Sequence, residues 1–388
     1  MPAAGRRDLS TDAGHIVAAQ AVRALAYGLG SVLIGLTLAQ RGRSGLAVGA
    51  VLAAILAGNA LATVAVARFG DRVGRRRTYG LLFAGMAVAG TVFASTGWLP
   101  ALVLAALTGT VSTDVVESGP FTTLEQAMLP NATEGDPAPL FGVYNATATI
   151  AGSFGALLAL ATSSVHALLL YPAAAIAGLL TSARLSEGVE RGRRSAGPPL
   201  ERSRGTVRRL SALFALDSFG GGFVPQTLIA YLFARKYGAS PHTLAIVFFA
   251  IGLLQAISFQ FAVQIARRVG LLRTMVFTHL PSNVLLAAVA FAPNLWSAIT
   301  LLLARFALSQ MDVPTRQAYV VAVVDPAERT AAVGYTNTAR YAARPFAPLL
   351  AGVALRAGLG VPFFVAGALK SVYDVALYAL FRERMMPA

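Results

Sequence analysis

The chain has 388 residues, 56% of them hydrophobic and 13% charged, with 32 basic and 17 acidic side chains and no cysteine. Its mean hydropathy is +0.64. These values exclude a disordered chain and leave too little polar side chain to cover a water-soluble globule, so the bilayer is the expected solvent. Without cysteine there are no disulfides or thiolate metal sites, and the four histidines (His15, His166, His242, His279) form no zinc pattern.

Apolar stretches of about 20 residues, each long enough to cross a ~30 Å hydrocarbon core as a helix, recur along the chain. They fall near 14–38, 45–67, 78–96, 99–121, 141–163, 165–183, 210–234, 241–266, 273–292, 294–320, 334–356 and 361–381. The expected fold is an all-α membrane protein with 12 transmembrane helices in two pseudo-symmetric six-helix bundles, 1–183 and 210–388. A basic cytoplasmic linker, 184–209, joins them and carries Gly197-Pro198-Pro199 among its arginines.

In chain order, the first span holds Gln20, Arg23 and Tyr27. Gly70-Asp71-Arg72-Val73-Gly74-Arg75-Arg76-Arg77 stands between spans two and three. Span four carries Asp114, Glu117 and Pro120, followed by an acidic loop with Glu125, Glu134 and Asp136. Span five holds Asn145, Gly152 and Gly155, and span seven holds Asp217, Gly220-Gly221-Gly222, Pro225 and Gln226. Span ten contains Arg305, Asp312, Pro314 and Arg316; span eleven contains Asn337, Arg340, Tyr341 and Arg344. Lys370 and Asp374 on span twelve have i,i+4 spacing and are expected to neutralise each other.

The net charge of +15 would suggest nucleic acid in a soluble protein, but its placement makes it a topology signal. With the N-terminus inside, 22 basic residues fall on cytoplasmic segments and 5 on outer loops, which puts both termini in the cytoplasm. Prolines and glycines in spans four, seven and ten are expected to bend those helices where a cavity can solvate freed carbonyls.

The halves match each other in order. Asn145, Ala151, Phe154, Leu157 and Leu158 align with Asn337, Ala343, Phe346, Leu349 and Leu350, and Arg72-Val73-Gly74 aligns with Arg268-Val269-Gly270. Duplicated six-helix units are a transporter architecture, with the substrate held between the repeats.

The segment from Gly70 to Arg77 resembles the cytoplasmic loop signature of the major facilitator superfamily, G-x-x-x-D-R/K-x-G-R/K-R/K, with the first glycine replaced by Ala67. Gly70, Asp71, Arg72, Gly74, Arg75 and Arg76 form the expected conformational latch. Segments such as Ser118-Gly119-Pro120-Phe121 and Met311-Asp312-Val313-Pro314 look like a bacterial, exporter-like branch. The family resemblance implies a central cavity lined by spans one, four, seven and ten, where most of the intramembrane charges fall. Asp114, Glu117, Asp217, Asp312 and Arg316 are the candidates for a proton-coupling or gate layer. Arg23, Tyr27, Arg305, Gln226, Asn145, Asn337, Tyr341 and Arg344 are the candidate lining of the substrate cavity.

The expected function is secondary active transport of a small molecule across the cytoplasmic (inner) membrane by alternating access, as a proton-coupled exporter of drugs or metabolites. An organic-anion or phosphorylated-metabolite carrier centred on the buried arginines is the alternative within the class. A non-transporting receptor or scaffold on the same fold is the alternative outside it. The expected partners are the substrate, protons, and a bilayer whose anionic headgroups meet Arg75–Arg77, with no nucleic acid and a monomeric chain. No phosphate-binding loop and no nucleophile–base set occur, so neither a cofactor nor an enzyme activity is expected.

Overall fold

The computed structural model describes residues 4–112, 114–115, 119–129, 138–161, 164–190, 200–325 and 328–382. Regular structure among them is entirely helical. The α-helices are α1 (Ala4–Gln40), α2 (Gly45–Val73), α3 (Arg75–Ser95), α4 (Leu99–Leu107), α5 (Pro120–Met128), α6 (Ala138–Leu157), α7 (Leu170–Ala183) and α8 (Arg204–Gly222). They continue as α9 (Gln226–Tyr237), α10 (Pro241–Val269), α11 (Leu271–Val289), α12 (Leu295–Ser309), α13 (Asp312–Ala322), α14 (Arg329–Ala343), α15 (Phe346–Ala354) and α16 (Val361–Phe381). Seven helical segments among the described residues are long and apolar enough to cross a membrane. In hydrocarbon a backbone must satisfy its own hydrogen bonds, and Ala/Leu/Val-rich runs do so as helices.

Four predicted spans are delivered as two shorter helices each. The span predicted at 99–121 is α4 and then α5, which carries the chain on to Met128; the described residues between them, 108–112, 114–115 and 119, are not helical. Pro120 opens α5 and Gly119 precedes it at φ 63°, a left-handed conformation suited to glycine. Span seven breaks between Gly222 and Gln226, as the glycines and Pro225 predict. Span ten breaks at Gln310–Met311, three residues before Pro314, and span eleven breaks at Arg344–Pro345, where proline has no N–H to donate to the preceding turn.

The chain folds into two compact units. The first comprises Met1–Arg43, Ala50–Arg194 and Gln226–Gly252. Its axis is α1, which packs on α6, α7 and α9, while α3 packs on α7. The α1–α6 crossing is close because Gly28 lies on the Gly152 backbone and Gly155 on the Leu25 carbonyl; a Cβ at any of these glycines would collide. Lipid supplies no hydrophobic drive between helices, so such small-residue contacts hold them together.

The second unit comprises Ser44–Gly49, Ser195–Pro225 and Leu253–Ala388. Here α8 packs on α14 and α16, and α11 on α12, α13 and α16. Its core joins Leu210 and Phe214, Leu272 and Met275, Tyr319, and Tyr373, Leu377 and Phe381.

The chain contains two tryptophans. Trp98 precedes α4 and Trp296 lies in the first turn of α12; they are 66% and 72% exposed, as interfacial anchors are. In bilayers, tryptophan emission is expected to be quenched more by lipids brominated near the headgroup than by lipids brominated near the chain ends. The reverse order would remove both residues from the interface.

Candidate functional site

The deepest charge of the first unit is Arg23 on α1, which is fully buried. Its Nη2 donates to Glu125 Oε2 at 2.6 Å, and its guanidinium faces the Phe121 ring at 4.7 Å and the Tyr27 ring at 5.5 Å. Glu125 also accepts from Tyr79 Oη (2.6 Å) and Tyr144 Oη (2.5 Å), so its carboxylate is held from α1, α3 and α6 at once. Glu125 was expected in the acidic loop after span four. The break between α4 and α5 places it instead in α5, with no solvent exposure.

That break frees carbonyls, and side chains from neighbouring helices satisfy them. Tyr27 Oη donates to Thr110 O (2.7 Å), Asn59 Nδ2 to Val111 O (2.9 Å) and Tyr171 Oη to Ser112 O (3.2 Å). Tyr27, predicted as a cavity residue, is therefore engaged in holding the break. Asp114 lies half-buried in the same stretch, where its amide donates to Ser112 Oγ at 3.0 Å. Glu117 lies outside the described residues. Asn145 is half-buried on α6, and Gln226 is half-buried at the start of α9.

In the second unit, Asp217 on α8 is bonded by Lys370 on α16, and Lys370 Nζ also lies 3.4 Å from the Asp217 carbonyl. The expected Lys370–Asp374 pair does not form. Each side chain has a partner on another helix: Asp374 Oδ1 lies 3.0 Å from His279 Nδ1, and Asp374 Oδ2 accepts from Asn283 Nδ2 at 2.8 Å. Gly220 leaves room for the Lys370 stem beside α8, which makes the longer-range pair accessible. Asp312 and Arg316 pair within α13 at 3.3 Å, with the guanidinium 5.6 Å from the Phe214 ring.

Arg305 on α12 differs from these. It is 8% exposed and stacks on Phe306 at 4.3 Å, and its guanidinium makes no hydrogen bond or ion pair among the described residues. Ser309, one turn further along α12, has a buried hydroxyl that likewise lacks a partner. On α14, Tyr341 is half-buried and Asn337 exposed; Arg344, just beyond that helix, is half-buried.

In the loop after α2, Gly74 turns the chain at φ 98°. Glu190 then caps α3, accepting from the amides of Arg75 (2.8 Å) and Arg76 (3.0 Å), and a carboxylate is favoured at a helix N-terminus. Arg75 is buried and donates to Ala127 O (2.9 Å) and Val189 O (3.2 Å), tying this loop to the end of α5. Gly70 lies within α2, where it faces Val66 and Leu124, and Arg72 is exposed. The Asp71 side chain lies outside the described residues. Gly270, at φ 88°, turns the chain in the same way before α11.

Residues 16–348 match the family model of the Major Facilitator Superfamily. The chain belongs to that superfamily. It is similar to an uncharacterized membrane protein of Saccharomyces cerevisiae, YJR124C, with 24% identity over 93% of this chain and 92% of the yeast protein. Among solved structures it resembles the nucleoside transporter NupG, with a TM-score of 0.76 and 14% identity over 96% of this chain and 99% of NupG. It also resembles a D-xylose-proton symporter, with a TM-score of 0.71 and 13% identity over 96% and 98% of the two chains. The protein is thus a multi-pass membrane protein with the fold of this transporter superfamily, and the solved relatives named here are transporters, not enzymes.

Reasoning from sequence missed Glu125, His279, Asn59, Tyr79, Tyr144 and Tyr171. One signal was present: Pro120 is a helix-opening residue, and Glu125 stands one and a half turns into the helix it opens.

Outside the membrane, this member of the superfamily anchors the start of α8 with Glu328, whose carboxylate accepts from the amides of Glu201 (2.7 Å), Arg202 (2.9 Å) and Ser203 (2.8 Å). The amide of Glu201 leads these bonds in holding the Glu328 carboxyl down at about 2, against an ordinary 4.5. A depressed carboxyl contributes stability above its unfolded pKa and loses it as pH falls through the folded one. The gap in unfolding temperature between the native chain and Glu328→Gln is therefore expected to shrink as pH falls from 4.5 toward 2. A gap that does not change with pH would contradict this.

Proposed function

We propose that this protein is a proton-coupled secondary transporter that carries a small organic molecule across the cytoplasmic membrane by alternating access. In this reading the halves 1–183 and 210–388 contribute twelve spans, both termini are cytoplasmic, and the linker 184–209 joins the halves on that side. The observation that carries it is the coincidence of broken helices with buried charge. The breaks after α4, α8 and α12 lie beside Asp114, Asp217, Arg305 and Asp312, within a superfamily that moves substrates between its halves. Proton coupling draws support from the D-xylose-proton symporter among the structural relatives. Export is the finer part of this reading and rests on the resemblance of segments such as Ser118-Gly119-Pro120-Phe121 and Met311-Asp312-Val313-Pro314 to an exporter-like branch. The loop from Gly70 to Arg76 acts as the latch, with Glu190 and the Arg75 contacts as its anchors.

Arg305 favours a second reading, an organic-anion carrier. Arg23 is neutralised by Glu125 and Arg316 by Asp312, whereas Arg305 and Ser309 present donors on one face of α12 that have no partner among the described residues. A carboxylate or phosphate would satisfy both.

The test is flux into proteoliposomes under an imposed pH gradient, with ethidium, uridine and p-aminohippurate as cationic, neutral and anionic probes. Gradient-driven flux of at least one probe is expected; folded protein with no such flux would sink the proton-coupled reading. If the anion reading holds, Arg305→Gln lowers p-aminohippurate flux by about tenfold or more, the loss expected for one charge-assisted hydrogen bond. Equal loss of ethidium flux would remove the anion-specific role.

A further inference from the structure

The resident charges of the second unit have an unusual arrangement. Among the described residues, and apart from Glu328 at the start of α14, its membrane helices bury three carboxylates (Asp217, Asp312, Asp374) and three cations (Arg305, Arg316, Lys370), each less than a tenth exposed. The set is neutral when His279 is neutral. His279 is 3% exposed on α11. Asp217 from α8, Asp374 and Tyr373 from α16 and Asn283 from its own helix lie against it; Asp312 on α13, paired with Arg316, and Lys370 on α16 act on it electrostatically, and Arg305 on α12 acts on Asp217 and Asp312.

The imidazole bridges two carboxylates. Its Nδ1 lies 3.0 Å from Asp374 Oδ1, which sets a ring N–H there, and Asn283 holds the other Asp374 oxygen. That tautomer leaves the Nε2 lone pair facing Asp217 Oδ1 at 3.9 Å, too far for a hydrogen bond and repulsive in sign. The same Asp217 oxygen holds Lys370. A proton added at Nε2 turns this repulsion into an attraction and makes His279 compete with Lys370 for Asp217. Asp217 stands five residues before the end of α8, at the break of span seven. Protonation of His279 therefore acts on the side chains that flank that break.

We infer that His279 is the site that binds the coupling proton, with Asp374 fixing its tautomer and Asp217 receiving the new N–H. This rests on the proton-coupled reading above but moves the proton from the carboxylates of spans four, seven and ten to an imidazole between spans seven, nine and twelve. No bond other than N–H forms or breaks.

The direct test uses protons alone. The full chain, labelled with 15N-histidine and held in nanodiscs, is titrated by NMR, and the His279 signals are assigned by their loss in His279→Gln. His279 is expected to pass from neutral to doubly protonated between about pH 8 and 5. Asp374→Asn is expected to lower its midpoint by about one pH unit or more, through loss of a counter-charge. A His279 ring that stays in one protonation state across that range overturns the proposal. A transport arm separates the two readings, using uridine, p-aminohippurate and ethidium. In His279→Gln, gradient-driven accumulation is expected to fall at least about tenfold while exchange without a gradient persists. Coupling retained in that variant overturns the His279 site and leaves the proton-coupled reading standing. Wild-type exchange that ignores the gradient overturns both.

Discussion

A charge is stable inside an apolar helix bundle only when a counter-charge and enough hydrogen bonds replace the water it has lost. Arg23 meets this condition through Glu125, and Glu125 through two tyrosine hydroxyls besides. Much else in the first unit follows from that contact. It requires α5 to sit deep enough for Glu125 to reach α1, and the break between α4 and α5 provides the extra length. The unwinding would leave carbonyls unpaired in a dry interior, and Tyr27, Asn59 and Tyr171 answer for three of them.

The second unit meets the same condition with more groups and looser bonds. Lys370–Asp217 and Arg316–Asp312 are pairs, whereas Asp374 is balanced through an imidazole and an amide. Arg305 has an aromatic face and no carboxylate partner among the described residues. The first unit thus contains a closed ion-pair cluster that resists change. The second contains one titratable ring and one cation whose bonding is incomplete, the two features that binding a proton and an anion would complete. Arg305 lies one turn before the end of α12, and His279 faces Asp217 near the end of α8, where small rotations cost little backbone hydrogen bonding.

Much of this architecture is legible in the residues. Hydropathy marks the helices, Gly74 and Gly270 take the positive φ their turns require, and Gly220–Gly222 with Pro225 mark the break between α8 and α9. The pairing of charges is less legible, because it joins residues far apart in sequence. Arg23 and Glu125 are 102 residues apart, and Lys370 and Asp217 are 153 apart. Local spacing favours Lys370 with Asp374; the space left beside Gly220 decides for Asp217 instead. The stretch over 108–119 is apolar enough to read as continuous helix, so counting from it misplaces Glu125 into a loop. Nothing local to His279 announces its role, which depends on carboxylates brought to it by α8 and α16.

The central claim is that charges enter these bundles as neutral sets. A double-mutant cycle on the first-unit pair tests it most directly, with unfolding free energy as the readout. Arg23→Gln and Glu125→Gln each strand one buried charge and should each cost about 3–5 kcal/mol. The double variant strands none, and its amide still accepts from Tyr79 and Tyr144. Compensation predicts that the double variant is more stable than either single variant. A double variant destabilised by the sum of the two would show that the charges act independently, and would contradict the claim.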